Sequence, residues 1–310
     1  MRKTVLEVFT LKEMQEEKSE EKPENKNPEE KRIVSILETI EVDTGKREAL
    51  QEFETIIEAP NWTNNGEELI YNRGGRIYAY HIATGNSNMI SSGVCNHCNN
   101  DHVLSPDHTR IAVSHQTEED NKSRIYILPI EGGTPTLITP IAPSYLHGWS
   151  PDGTTLAYCA ERNGEYDIYT IPAEGGIETK LTNAPGLNDG PEYSPCGNYI
   201  WFNSVRSGLM QIWRMNKDGS EQTQMTFDER NNWFAHVSPD GTRIAYVSYK
   251  MGDVEPGDHP ANKDVEIRMM STDGGEPWTL VELFGGQGTL NVNSWSPDNI
   301  KLAFVSYLYR

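Results

Sequence analysis

Trp149-Ser-Pro-Asp-Gly153, followed by Thr155-Leu-Ala-Tyr158 and then by Asp167-Ile-Tyr-Thr-Ile171, is the stretch on which the fold turns. Pro presets the backbone at the second position of a tight turn, Asp bonds the chain just downstream, and Gly takes the positive φ that closes it. The strands that follow are β-branched and aromatic, so the phrase reads as a hairpin turn into a sheet. It recurs as Trp62-Thr-Asn-Asn-Gly66, Leu104-Ser-Pro-Asp-His108, Tyr193-Ser-Pro-Cys-Gly197, Val237-Ser-Pro-Asp-Gly241 and Trp295-Ser-Pro-Asp-Asn299. Counted from its Ser or Thr (63, 105, 150, 194, 238, 296), the intervals are 42, 45, 44, 44 and 58. A period of about 40–45 residues is that of a propeller blade.

Around each turn the sequence supplies an inner strand before it, a second strand after it, a third such as Arg124-Ile-Tyr-Ile-Leu128, and an outer strand such as Thr136-Leu-Ile-Thr139. The fold class expected is all-β, a six-bladed β-propeller of four-stranded blades. The sixth copy ends after its second strand at Arg310, whereas Ser35–Val42 and Arg47–Ile57 have the form of a third and a fourth strand. The ring is therefore expected to close by pairing N-terminal strands with the C-terminal blade, which satisfies an otherwise open sheet edge. Residues 1–34 read as a charged, largely disordered extension, polar from 12 to 32 and with one strand-like stretch at Thr4–Leu11, and 35–310 as the propeller.

The Trp-Ser-Pro-Asp-Gly turns and the Asp-Ile-Tyr strands after them resemble the TolB-like propeller family, built from PD40 or WD40-like repeats, over about residues 35–310. The resemblance implies the six-bladed fold. It leaves function open, since propellers of this type serve as scaffolds, peptidase gates and carbohydrate enzymes.

A formal net charge of −19 argues against nucleic acid, whose phosphates call for a basic surface, and against anionic membranes. Met1–Leu11 lacks the apolar core of a secretory signal, no stretch approaches the roughly 20 apolar residues of a membrane span, and only four cysteines occur. A cytoplasmic protein with reduced thiols is expected. Cys95-Asn-His-Cys98 has no second ligand pair at matching spacing to complete a zinc ribbon.

Function is sought where the inner strands begin. Five residues before the turn Ser or Thr stand Glu58, Asn100, Tyr145, Asp189, Trp233 and Asn291; three before it stand Pro60, His102, His147, Pro191, Ala235 and Asn293. Residues two apart share a strand face, so two adjacent layers of one pocket are expected, with His236 one residue out of step. Side chains of these types also commonly bond loop backbones, which would make such a mouth polar without a ligand. The candidate catalytic residues are His102, His147, His236 and Asp189. The candidate substrate-binding residues are Asn100, Tyr145, Asn188, Arg206, Trp233, His259, Gln287, Asn291 and Asn293. Arg206 is a possible carboxylate clamp, and His259 lies in an insertion, Lys250–Asp264, that accounts for the one long interval and has the position of a lid.

Imidazoles with an amide or carboxylate oxygen suit Mn, Fe or Zn, so His102, His147, His236 and Gln287 form a candidate divalent-metal set. Such a centre resembles oligogalacturonate lyase, in which histidines and a glutamine hold a metal and a further histidine removes a proton beside a uronate carboxylate. The resemblance implies a metal-assisted lyase or hydrolase acting on a small sugar acid or oligosaccharide. The reading from a different class is a non-catalytic TolB-like or WD40-like scaffold gripping a protein or small ligand.

Overall fold

The repeated phrase folds as its chemistry dictates. In the copies at 105, 150, 238 and 296 the Ser Oγ donates to the Asp Oδ1 two residues on at 2.6 Å. The same Oγ accepts the backbone N–H that opens the next strand, from Arg110, Thr155 and Arg243 at 3.0 Å and from Lys301 at 2.8 Å. The closing position has positive φ in every copy, at Gly153 (69°) as at Asn299 (63°), the residue type that tolerates this region best after Gly. Two of the tryptophans that open the phrase reach to the preceding blade: Trp149 Nε1 donates to the Val103 carbonyl and Trp295 Nε1 to that of His236, each at 3.0 Å. The turn thus carries its own inter-blade link.

The computed structural model describes residues 32–310. The Thr4–Leu11 stretch and all but the last three residues of the 1–34 extension lie outside the described residues. Strands β1 (Ile33–Glu41) and β2 (Arg47–Phe53) come first. Four strands then make each of five sheets: β3 (Glu58–Trp62), β4 (Glu68–Arg73), β5 (Arg76–His81) and β6 (Asn86–Met89) in the first. The second holds β7 (Cys98–Leu104), β8 (Arg110–Gln116), β9 (Ser123–Pro129) and β10 (Thr136–Leu137). The third holds β11 (Ser144–Trp149), β12 (Thr155–Arg162), β13 (Glu165–Pro172) and β14 (Thr179–Lys180). The fourth holds β15 (Asn188–Tyr193), β16 (Tyr199–Ser204), β17 (Gln211–Asn216) and β18 (Thr223–Gln224). The fifth holds β19 (Asn231–Val237), β20 (Arg243–Tyr249), β21 (Ala261–Ser271) and β22 (Trp278–Gly286).

The last sheet joins the two ends of the described chain. Strand β23 (Lys301–Tyr309) pairs antiparallel with β1 from Lys301 opposite Glu41 to Tyr309 opposite Ile33, and β2 lies outside β1. The structure is a six-bladed propeller closed in the expected way. Buried Glu38 of β1 meets Arg47 of β2 and Ser306 of β23, an ion pair and hydroxyl spanning all three strands. Leu37 packs with Ile57, Trp62 and Tyr71 against Val305 and Tyr307, while Ile40 joins Trp233, Trp295 and Phe304. The inner edge of this blade is irregular. Residues 289–295 follow β23 through Val305 N to Thr289 O, Ala303 N to Ser294 O and a single bridge at Trp295, because Asn291 and Asn293 bond the local backbone in place of a ladder.

Candidate functional site

The inner strands do not keep a simple alternation. Each named one loses register with its neighbour just before the turn: between Glu58 and Asn61, Cys98 and His102, Leu146 and Gly148, Asp189 and Glu192, and Trp233 and His236. These are β-bulges, which add a residue to one strand and re-aim the side chains beyond it. Their backbone is visible at Ala59, Gly190 and Phe234, with φ of 54°, 61° and 59°. Gly190 is needed there: a Cβ would lie 2.5 Å from Asn203 Oδ1 and 3.0 Å from the Phe234 ring. Beyond the bulge Glu192 and His236, each two before its turn, meet each other, while His147, three before its turn, lines the cavity. The expected pair of layers is therefore replaced by a cavity above and a polar plug below.

The cavity has a volume of about 540 Å³ and is lined by Asn99, Asn100, Asp101, Tyr145, His147, Cys159, Tyr166, Leu187, Asp189, Phe234, Gly257, His259, Gln287 and Asn291. It brings together seven of the residues expected at the site: Asn100, Tyr145, His147, Asp189, His259, Gln287 and Asn291. The insertion between β20 and β21 supplies Gly257 and His259, so it contributes to the cavity wall. His259 Nδ1 meets Gln287 Oε1, which also accepts Asn291 Nδ2 at 3.1 Å. His147 Nε2 faces Asp189 Oδ1 at 3.1 Å, and the same oxygen accepts Gly190 N at 2.7 Å. Among the described residues, no Lys or Arg lines the cavity.

The charge states follow from these contacts. Burial works against protonated His147, but the bond to Asp189 and the charges of Asp189 and Asp101 outweigh it and raise its pKa. Burial works against ionised Asp189, yet the bond to His147 and the charges of His147 and His259 hold its carboxyl below the usual range. The two neutralise each other. Burial lowers the His259 pKa, favouring its neutral form. Asp101, 5% exposed, is pushed up to about 6, by burial first, with the Asp189 charge adding to it and His147 opposing. Glu58 just behind is raised too, by burial and then by Asp101.

Below the cavity lies the plug. Glu192 accepts His236 Nδ1 at 2.7 Å, Val237 N at 2.7 Å and Asn293 Nδ2 at 2.8 Å. His236 Nε2 meets the Leu290 carbonyl at 3.1 Å, and Asn61 Nδ2 reaches the Asn293 carbonyl. On the turn side a second hollow is rimmed by Pro195, Pro239 and Pro297, with Asn61 and Asn293 at its floor. Glu192→Ala would strand three buried donors at once. We expect it to cost on the order of 3–5 kcal/mol, the usual result of breaking a buried pair. Urea unfolding midpoints for the variant and wild type test this, and a loss under about 1 kcal/mol would contradict it.

Six expected residues lie outside the cavity. His102 is fully buried between the first two blades, its Nε2 3.4 Å from the Ile70 carbonyl, and burial lowers its pKa to about 4. His236 and Asn293 belong to the plug. Asn188 is a buried brace, bonded to Asp167, Ser204 and Arg206. Arg206 donates to Ser204, Gln222 and Asn188 and lies over the Trp213 ring at 4.7 Å, so its guanidinium is occupied within its own blade. Trp233 is fully buried because the bulge turns Phe234 to the cavity instead, and it packs behind the wall against His259, ring centroids 4.2 Å apart. The proposed metal set is thereby dispersed, each member facing a different partner. Among the described residues no group of three or more His, Cys, Asp or Glu is arranged to hold a metal ion. These four residues do not fit a metal ion. Asp101, Phe234 and Glu192 were not singled out in the sequence, because only the bulge brings them to the axis.

A family model, the TolB beta propeller domain, matches residues 139–259. An uncharacterized protein of Agrobacterium fabrum is 44% identical over 274 residues, 88% of this chain and 92% of the relative. A structure solved from Agrobacterium tumefaciens as a TolB candidate superposes with a TM-score of 0.85 at 44% identity, over 90% of this chain and 99% of that one. The chain belongs to the TolB-like β-propeller family. Among TolB relatives assigned by name to the Tol-Pal system, that of Francisella tularensis is 26% identical over 82% of this chain, and the chain spans 57% of its length. The TolB of Acinetobacter baumannii shares the fold at 18% identity, with a TM-score of 0.64 over 83% of this chain and 65% of that one. An oligogalacturonate lyase in complex with manganese shares it at 14% identity and a TM-score of 0.53, over 81% of this chain and 73% of that one, a likeness of fold alone.

Proposed function

We propose that this TolB-like propeller is a non-catalytic binding protein that grips a segment of a protein partner in the cavity at one mouth of its channel. The observation that carries the reading is the state of the acid–base groups at that mouth. His147 is tied to Asp189 and His259 to Gln287, so each imidazole of the mouth already has a partner within the protein. What remains open to a ligand is a wall of Tyr145, Tyr166 and Phe234 beside amides and an acid, a lining suited to recognition. The kinship with TolB proteins of the Tol-Pal system supports a protein as the partner.

An enzyme acting on a sugar acid has less support. A uronate calls for a cation to meet its carboxylate, and among the described residues no Lys or Arg lines the cavity, while Arg206 is engaged elsewhere. The test uses Gly257→Trp, since a side chain at Gly257 meets nothing within 4 Å and its φ is not strained. The indole should obstruct the mouth without unfolding the ring. Tagged full-length protein should retain a co-purifying partner that the variant, with an unchanged melting temperature, loses. Equal capture by both, no captured protein, or oligosaccharide turnover that the variant abolishes would overturn the proposal.

A further inference from the structure

Nine residues after the turn Ser or Thr, in the second strand of each blade, stand Asn72, Ser114, Cys159, Asn203, Val247 and Val305. The first four can form hydrogen bonds, and all four are buried. Each reaches the backbone of the next blade's inner strand. Asn72 Nδ2 donates to the carbonyls of Cys98 at 2.9 Å and Asn99 at 2.8 Å, and Cys159 Sγ to that of Asn188 at 3.3 Å. Ser114 Oγ accepts the Leu146 N–H at 2.8 Å, and Asn203 Oδ1 accepts that of Phe234 at 3.1 Å. We infer that these four are positioning residues: through the backbone they hold, they fix the bulge of the neighbouring strand and so decide which side chains line the cavity. The inference rests on reading that cavity as the site.

The bonds share one place in the repeat. Asn99 and Asn188 stand six residues before their turns, Leu146 and Phe234 four before, so each link holds a backbone group flanking the position five before the turn. That position gives the cavity Asn100, Tyr145 and Asp189, and Phe234 follows it in the fifth blade. Register is lost at or beside the link in all four strands. Phe234 shows why a clamp is needed. A bulky residue at φ 59° persists only where its surroundings over-determine the conformation, and its buried N–H must find an acceptor. The Asn203 oxygen supplies it, which keeps Phe234 in the wall and Trp233 behind it. The ring also contains its own contrast, since Val247 and Val305 can form no such bond. After Val247 comes the irregular inner edge, where Asn291 bonds Gln287 instead. After Val305 comes β3, none of whose residues lines the cavity.

The test is NMR of the histidine ring protons in the full chain, which requires no ligand. His147 stacks on Phe234 with ring centroids 5.6 Å apart and planes inclined by 20°, so its resonances report where the phenyl ring lies. His147→Gln assigns them, and Phe234→Leu shows where they fall without the ring. Asn203→Val, which installs the residue of the fifth and sixth blades, should move them toward their position in Phe234→Leu. Asn203→Ser, which installs the residue of the second blade, keeps an oxygen for the Phe234 N–H and should leave them near wild type. A space-filling role predicts the reverse, because Val is closer to Asn in size than Ser is. Ser114→Ala, at the clamp on the strand that carries His147, should also shift them, which covers the case of Asn203→Val folding poorly. Resonances unmoved in the folded Val and Ala variants, or moved as far by Asn203→Ser as by Asn203→Val, would overturn the inference. Its failure is separable from that of the binding role: partner capture that Gly257→Trp abolishes, with unmoved resonances, would sink the clamps alone, and the expected shifts with no captured partner would sink the protein-binding role alone.

Discussion

Asp101→Asn is expected to make the ligand-free protein more stable at pH 7.5 by a few degrees in melting temperature. The sign follows from linkage. Asp101 is raised in the folded state from 3.8 to about 6, so its favourable contribution is complete below the unfolded value and is lost as pH rises through about 6. Above that, the native state carries a buried charge that the unfolded chain solvates freely. A shift of about two units corresponds to on the order of 3 kcal/mol, or roughly 5 °C for a chain of this size. Part of this is offset, because the Asp101 charge also helps to keep His147 protonated. The groups facing Asp101 are Glu58, Tyr145, His147 and Asp189, with the Asn99 amide bonded to it. The advantage of the variant over wild type should be near zero at pH 4 and grow to its full size by pH 7. Melting curves across this range decide the matter, and a variant less stable than wild type at pH 7.5 would sink the assignment.

The largest effect is expected at the ring closure. A chain starting at residue 58 lacks β1 and β2 and leaves β23 as an open edge along its whole length. It also loses Leu37 and Ile40 from two of the clusters that cement neighbouring blades. We expect this fragment to show no cooperative thermal transition, and a separate peptide of residues 32–57 to restore one. Leu37→Ala is the milder version: its fully buried side chain should cost about 2–5 kcal/mol while the single transition survives. Differential scanning calorimetry distinguishes the cases, and a fragment melting as the intact chain does would show that the blades do not depend on closure.

What was legible in the sequence is what repeats. The turn phrase recurs because each blade needs the same hydroxyl, carboxylate and left-handed closing residue, so blade number and strand order could be read directly. Ring closure was legible for a related reason: the sixth copy stops after two strands, and two strand-like segments stand unpaired at the other end. The bulges were not legible. Four residues before the turn stand Ala59, Asp101, Leu146, Gly190, Phe234 and Val292, which share no residue type, and only Gly190 hints at unusual backbone. Strict alternation therefore put Trp233 in the pocket and left out Phe234, the reverse of what the bulge does. It also separated His236 from Glu192, although both stand two residues before their turns. His102 misled for another reason. Its residue type suits a metal or a base, and nothing local in the sequence shows that it is sealed against the Ile70 carbonyl.

The Glu192–His236–Asn293 plug makes the channel a cul-de-sac. A polymer cannot be threaded through it, so whatever the mouth holds must present a terminus or a protruding side chain, never the middle of a fully extended strand. On the binding reading proposed above, arrival and departure would share one doorway, beside which the insertion places Gly257 and His259. Exchange would then pass that loop, and the opposite face of the ring would stay free for a second contact that does not compete with the first.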